Sequence, residues 1–220
     1  MDKPRHTPRL DLVPLSKSQL EWILASPLRH SLWSQDNASA LERNLGIRFD
    51  TAIIDENVIR AIGIKLAKME KLPAEKHIWQ TCWLIVERDA QVGIGLAGFK
   101  SPPDENGLSE VGYGIAPDWQ NRGYMSEALR GLLDWAFEQD GCFGITATAV
   151  KNPASRRLLK KLGASLLEES EKESSWIFKK NTAPERNDRR ERSRRTDFQA
   201  PLFDCVDTTY RLRSETGFLF

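Results

Sequence analysis

The chain has 220 residues, 40% hydrophobic and 29% charged, enough apolar side chain for one domain of ordinary size. Its 32 Lys and Arg against 31 Asp and Glu leave a formal charge of +1. No global field draws it to nucleic acid or to an anionic membrane, and neither is an expected partner.

Three cysteines, Cys82, Cys142 and Cys205, are odd in number and far apart, which points to a reducing compartment without a disulfide framework. The opening Met-Asp-Lys-Pro-Arg-His has no apolar segment behind it. The longest apolar run, residues 82–86, is too short to cross a bilayer, so a soluble, cytoplasmic protein is expected.

In chain order, residues 10–15 read as a first strand. Ser16 with Gln19 three residues on makes a capping box for a helix through Ala25, which Ser26-Pro27 ends. Residues 39–45 suit a helix stopped by Gly46. Asp55 caps a longer helix whose apolar positions are Val58, Ile59, Ile62, Leu66 and Met69; Leu72-Pro73 closes it. Residues 78–88, rich in Trp, Ile and Val, read as a strand, with Trp79 and Trp83 sharing one face at period two. Residues 87–90 turn it into a hairpin partner over residues 91–100. After a polar loop with two prolines, residues 108–116 form the next strand. Residues 123–139 form a helix with Met125, Ala128, Leu129, Leu132, Leu133, Ala136 and Phe137 on one face. A strand follows over 143–150. Asn152 caps a further helix with Pro153 at its first position, Lys160 and Lys161 in its last turn and Gly163 beyond it. Residues 164–169 and 175–179 read as a closing hairpin.

From residue 181 the character changes. The arginine-rich run 186–195 has no apolar period and is expected to be solvated and disordered; acidic residues interrupt it, which weighs against a nucleic-acid arm. Residues 201–220 carry Leu202, Phe203, Val206, Tyr210 and Phe218 without a clear period. Docking on the domain, association and no role at all stay open.

Several chemistries lack their signatures. Gly93-Ile94-Gly95-Leu96-Ala97-Gly98 fits Gly-x-Gly-x-x-Gly, but Phe99-Lys100-Ser101-Pro102-Pro103 cannot start the helix a dinucleotide site needs. The glycines read instead as a bulged or closely approached strand. There is no P-loop and no Gly-x-Ser-x-Gly elbow, and His6, His30 and His77 lack metal-ligand spacing, so no metal is expected.

The informative stretch is residues 110–125. It is a strand ending at Pro117, a short polar loop with Gly123, and a helix N-terminus. That arrangement gathers backbone N–H groups and a helix dipole into an anion site. Within it, Gln120-Asn121-Arg122-Gly123-Tyr124-Met125 resembles the Gln/Arg-x-x-Gly-x-Gly/Ala acetyl-CoA loop of the GNAT N-acetyltransferase superfamily, with Met125 in place of a small residue. A second block, Thr148-Ala149-Val150-Lys151-Asn152-Pro153-Ala154-Ser155, resembles the Asn-x-x-Ser block of the RimJ/RimL-like branch. The resemblance covers residues 8–180, leaving 181–220 as a charged extension.

The resemblance implies an α+β fold: a mixed, mostly antiparallel sheet flanked by helices and split where two neighbouring strands diverge. It implies transfer of an acetyl group from acetyl-CoA to a primary amine of a small molecule or protein N-terminus. The mechanism would be direct attack in a ternary complex, with Cys142 not needed as a nucleophile, in a monomer or homodimer. The CoA pyrophosphate would lie on the N–H groups of Asn121, Arg122, Gly123, Tyr124, Met125 and Ser126, next to Gln120. Ile115 and Ala116 would offer backbone to the pantetheine. Asn152 is a plain helix cap and, by resemblance, also a pantetheine contact. Ser155 is a first-turn residue whose hydroxyl would lie near the thioester sulfur. Leu159 stands where many relatives have a tyrosine. Glu110 is a solvent-facing or salt-bridged strand residue or, by resemblance, the general base. The rival from another class is a non-catalytic acyl-CoA-binding or regulatory module on the same fold.

Overall fold

The structure, a computed structural model, describes residues 3–25, 42–43 and 46–180. The expected helix over 39–45 lies almost wholly outside those residues. The Ser26-Pro27 stop and everything said of the arginine-rich run and of residues 201–220 lie outside them entirely.

Among the described residues nine strands form one sheet. They are β1 (Arg5–His6), β2 (Leu10–Pro14), β3 (Arg48–Phe49), β4 (Trp83–Glu87), β5 (Val92–Phe99), β6 (Leu108–Ile115), β7 (Gly144–Val150), β8 (Ser165–Glu169) and β9 (Ser174–Lys179). Their order is β1-β2-β4-β5-β6-β7-β9-β8, with β3 beside β5. Only β3–β5 and β6–β7 are parallel. Among the described residues five helices with both ends defined flank the sheet: α1 (Lys17–Ala25), α2 (Glu56–Met69), α3 (His77–Gln80), α4 (Tyr124–Glu138) and α5 (Pro153–Lys161). This is the expected mixed, mostly antiparallel α+β architecture.

Local chemistry explains the long elements. Ser16 and Gln19 exchange the two bonds of a capping box, 2.8 Å from the Ser16 N–H to Gln19 Oε1 and 3.2 Å from the Gln19 N–H to Ser16 Oγ. Asp55 accepts from the Val58 N–H at 2.8 Å and starts α2. Asn152 accepts from the Ala154 N–H at 2.8 Å and starts α5 with Pro153 behind it. Gly163, at φ 90°, closes α5 in the left-handed conformation.

Each face of the sheet carries its own core. On one, α4 lays Met125, Ala128, Leu129, Leu132, Leu133 and Ala136 against Leu12, Trp83, Ile94, Phe99 and Val111. On the other, Leu20 and Ile23 of α1 and Val58, Ile62 and Leu66 of α2 cover Leu84, Val86 and Leu96. β4 alternates between the two cores, which is why it reads as a continuous apolar run.

The expected strand over 78–88 is shorter than its composition suggested. Residues His77–Gln80 are helical and β4 begins only at Trp83, so Trp79 and Trp83 do not share a strand face. The His77 ring nitrogen Nε2 sits 2.8 Å from the Met69 carbonyl and 3.0 Å from that of Leu72, which ties this turn to the end of α2. Trp79 reaches the core from the turn, 4.8 Å from the rings of both Phe99 and Trp135. The glycines of β5 sit where neighbouring chain comes close. A Cβ on Gly95 would lie 2.5 Å from the Gly114 carbonyl, and one on Gly98 would lie 2.6 Å from that of Thr81.

Candidate active site

The sheet opens in the middle. β6 pairs with β5 from Val111 to Ile115 but meets β7 only through Leu108, Ser109 and Glu110, opposite Gly144, Ile145 and Thr146. Beyond that point β7 stays with β9 and shifts register between Ala147 and Val150, with Ala149 at φ 52°. A wedge therefore separates the C-terminal halves of β6 and β7.

Hydrogen-bond parity decides what lines the wedge. The Lys100 N–H donates to the Glu110 carbonyl at 2.8 Å and the Ala116 N–H to the Ile94 carbonyl at 2.9 Å. On an antiparallel pair such bonds alternate, so Glu110, Gly112, Gly114 and Ala116 turn their backbone to β5, whereas Val111, Tyr113 and Ile115 turn theirs to the wedge. A strand edge left this way needs a partner. Of the two residues expected to meet the pantetheine, Ile115 is aimed into the gap. Ala116 has its N–H on Ile94 and its carbonyl taken by the Trp119 N–H at 3.0 Å.

The loop at the open end follows a short 3-10 turn, Pro117–Trp119. Asn121 and Gly123 both adopt left-handed backbone, φ 61° and 81°, and α4 then begins with no side-chain cap. Its first described hydrogen bond runs from the Glu127 N–H to the Gly123 carbonyl at 3.1 Å. Among the described residues nothing accepts from the six N–H groups of Asn121 to Ser126. Six unpaired donors on a helix N-terminus are what an anion needs. Gln120 is exposed and its amide reaches back to the Ile115 carbonyl at 3.3 Å. Met125 is 9% exposed and packs into the core, so the bulk that departs from the family pattern points away from the loop.

One cation here left no trace in the local sequence. Arg9 holds Glu127 Oε2 at 2.7 Å through Nε, reaches the Arg122 carbonyl at 3.1 Å, and lies over the Tyr124 ring at 4.4 Å. It comes from the β1–β2 turn, more than 100 positions away, so only the fold brings it to the loop. Burial pushes the Glu127 carboxyl upward, but hydrogen bonds from Thr7 and Arg9 and the Arg9 charge hold it below its ordinary value.

Glu110 stands at the vertex, at the last paired position before β6 and β7 part. Its Oε1 accepts from Lys100 Nζ at 2.7 Å and from Thr148 Oγ1 at 2.5 Å. Oε2 accepts nothing among the described residues. The bulge after Ala147 sits beside Thr148. The salt-bridge reading and the base reading thus describe one carboxylate with one oxygen anchored and one available.

Tyr113, three residues along an alternating strand, projects to the opposite face from Glu110. Ser155, 5% exposed in the first turn of α5, lies beside the Tyr113 hydroxyl. Leu159, one turn on, is fully buried. Asn152 spends its side-chain oxygen on the Ala154 cap, leaving its amide NH2 for another contact. The fold therefore gathers the loop, Ile115, Glu110, Asn152 and Ser155 around one wedge. Lys100, Thr148, Tyr113 and Arg9 are the additions that sequence reading left out. Among the described residues no group of three or more His, Cys, Asp or Glu could hold a metal ion, and no helix is long and apolar enough to cross a membrane.

Comparison with known proteins gives the family and the fold. A model of the acetyltransferase (GNAT) domain matches residues 30–165. The N-acetyltransferase YjdG of Bacillus subtilis (strain 168) is 35% identical over 97 residues, 44% of this chain and 58% of that protein. YoaA of the same organism is 34% identical over 82 residues, 37% of this chain and 46% of that protein. The chain thus spans about half the length of the curated relatives it matches. Among solved structures, the ribosomal-protein-S5-alanine acetyltransferase of Vibrio fischeri superposes with a TM-score of 0.56 at 16% identity, over 82% of this chain and 98% of that one. RimL, a ribosomal L7/L12 alpha-N-protein acetyltransferase in complex with coenzyme A, superposes with a TM-score of 0.52 at 13% identity, over 80% and 98%. These two likenesses speak for the fold.

Proposed function

The chain belongs to the GNAT acetyltransferase family, and from that premise we propose that it transfers an acetyl group from acetyl-CoA to a primary amine of a small molecule or protein N-terminus. The observation that carries this reading is the wedge, with the unpaired N–H groups of the loop at one end and the open edge of β6 along one wall. The N–H groups of Asn121 to Ser126 suit a pyrophosphate, and the Val111 carbonyl, both backbone groups of Tyr113 and the Ile115 N–H suit an amide-bearing arm laid along β6 as an extra strand.

The residues then divide the work. Gly123 and Asn121 bend the loop so that its N–H groups converge. Ile115 and the NH2 of Asn152 orient the pantetheine from the two walls. Glu110, anchored through Oε1 by Lys100 and Thr148, takes the proton of the attacking amine on Oε2, directly or through a water. Ser155, on the other face, donates to the sulfur as charge builds there. The amine attacks the thioester directly within a ternary complex. Cys142, wholly buried, has no part in it. The catalytic unit runs over residues 8–180, and the protein acts as a monomer or homodimer in the cytoplasm.

The test is consumption of acetyl-CoA over a panel of amines: N-terminal peptides, polyamines, aminoglycosides and amino-acid-like metabolites. Acetylation of one class at the amine nitrogen is the expected result. CoA binding without transfer to any of them would favour the non-catalytic module.

A further inference from the structure

Tyr113 is 3% exposed, and its Oη is buried with no hydrogen-bond partner among the described residues. A buried hydroxyl without a partner has given up its hydrogen bonds to water and gained none in return, so it destabilises the fold. Phenylalanine would fill the same space without that cost, so packing alone does not account for the oxygen. The hydroxyl lies on the half of β6 that has parted from β7, on the face that α4 and α5 cover. Beside it is Ser155, itself 5% exposed. Burial pushes the Tyr113 pKa up to about 12, and Ser155 acts against that rise, yet the two hydroxyls do not close a hydrogen bond of ordinary geometry. They are neighbours at the edge of the wedge, poised rather than joined. Leu159, the next residue on this face of α5, offers no polar atom.

We propose that Tyr113 is a positioning residue for the Ser155 hydroxyl: its Oη–H donates to Ser155 Oγ when a thioester occupies the wedge, and this turns the Ser155 Oγ–H onto the sulfur. The inference rests on the acetyltransferase reading above. A serine hydroxyl both donates and accepts, and its proton rotates freely until a partner fixes it. A phenol that stays protonated is a stronger donor and a weaker acceptor than an aliphatic hydroxyl, so it is the natural donor of the pair. Ser155 is then left to donate in the one remaining direction. In the transfer step the N–C bond forms and the C–S bond breaks. The electron pair of the broken bond stays on sulfur, and the amine proton goes to Glu110. Both hydroxyls keep their protons: Tyr113 donates to Ser155 Oγ, and Ser155 alone lends a hydrogen bond to the departing thiolate, the charge-assisted kind that is roughly twice as strong as a neutral one.

The experiment needs no acceptor. CoA is bound to the full chain and to Tyr113→Phe, Ser155→Ala and the double variant. The pKa of the bound thiol is read from the ultraviolet absorbance of its thiolate, with desulfo-CoA as the blank. Ser155→Ala is expected to raise that pKa by about one unit, a tenfold change. Tyr113→Phe should raise it in the same direction by roughly half as much, and the double variant no further than Ser155→Ala alone. Desulfo-CoA affinity should stay unchanged, and the melting temperature of Tyr113→Phe should not fall, because the lost hydroxyl had no partner. A bound thiol unmoved by Tyr113→Phe, additive shifts in the double variant, or equal weakening of CoA and desulfo-CoA with a lowered melting temperature would each overturn the proposal. Wild-type protein that binds no CoA would instead overturn the acetyltransferase reading, and this inference with it.

Discussion

Glu110 shows how much one side chain depends on its surroundings. An amine attacks only when neutral. For a lysine-like amine with a pKa of about 10.4, neutrality at pH 7 costs roughly 4–5 kcal/mol; for an α-amine with a pKa near 8 it costs about 1–1.5 kcal/mol. A base therefore matters more for the first kind of acceptor. Glu110→Gln keeps the shape and the two donors on Oε1 while removing the basicity. The expected fall in kcat is about a hundredfold at neutral pH, shrinking at high pH where the amine is already neutral. CoA affinity should barely change. Full activity at pH 7 would move the search to another carboxylate. In the sequence Glu110 is one acid among 31; its pairing with Lys100 and Thr148 across two neighbouring strands is what sets it apart.

At the scale of elements, the β6–loop–α4 unit was the most legible part of the chain, because every signal in it is local. Alternation gives the strand, the glycine gives the left-handed step, and the helical period gives the buried face. Gly123 sits at φ 81°, and a Cβ there would meet only Arg9 Nη2 at 3.5 Å, an ordinary contact. Substitution therefore strains the backbone without a clash, at a cost of about 1–3 kcal/mol. Gly123→Val should leave a folded protein that acetyl-CoA no longer stabilises, read as the loss of a ligand-induced rise in melting temperature. An undiminished rise would sink the cradle assignment. Asp55→Ala, which removes the cap on the Val58 N–H, should cost about 1 kcal/mol of stability and leave CoA binding alone. The element that misled is residues 78–82. An apolar stretch rich in Trp and Ile reads as strand, whereas His77, packed against the carbonyl end of α2, holds its start in a helical turn. No periodicity within the stretch records a bond to Met69 and Leu72.

For the whole molecule, the N-terminal strands are tied on by carboxylates. Thr7 and Arg9 hold Glu127 of α4, and Arg88 of the β4–β5 turn holds Asp11 of β2. Burial pushes both carboxyls upward, but their hydrogen bonds outweigh it, so each sits below its ordinary value of 4.5 or 3.8. The unfolded chain takes up protons before the folded one as pH falls. The stability these groups contribute is therefore present above those ordinary values and is lost as pH drops through the folded pKa. Thermal unfolding followed from pH 6 to pH 3 should show a shallower loss in Glu127→Gln than in the wild type; coincident slopes would remove Glu127 from the account. The domain boundary is a second prediction at this scale. Lys180 closes on the Phe143 carbonyl at 2.9 Å, just past the end of β9. Residues 1–182 alone should fold and bind CoA, and an insoluble product from a soluble full chain would make the remaining residues structural.

The sequence by itself determined the elements whose causes lie within a few residues. The capping box at Ser16, the caps at Asp55 and Asn152, the αL glycines at 123 and 163 and the amphipathic face of α4 are all of that kind. With the two blocks at residues 120–125 and 148–155 they were enough to mark the family and the anion loop. Tertiary structure alone decided what converges on the wedge. β6 and β7 part after Glu110, and that parting is a fact about pairing between segments more than 30 residues apart. It sets which backbone groups are left open, puts Glu110 and Tyr113 on opposite faces, and brings Arg9 to the loop and Ser155 to the phenol. Hydrogen-bond parity and side-chain alternation are fixed only once a strand has a neighbour and a register, and neither is written in the strand itself.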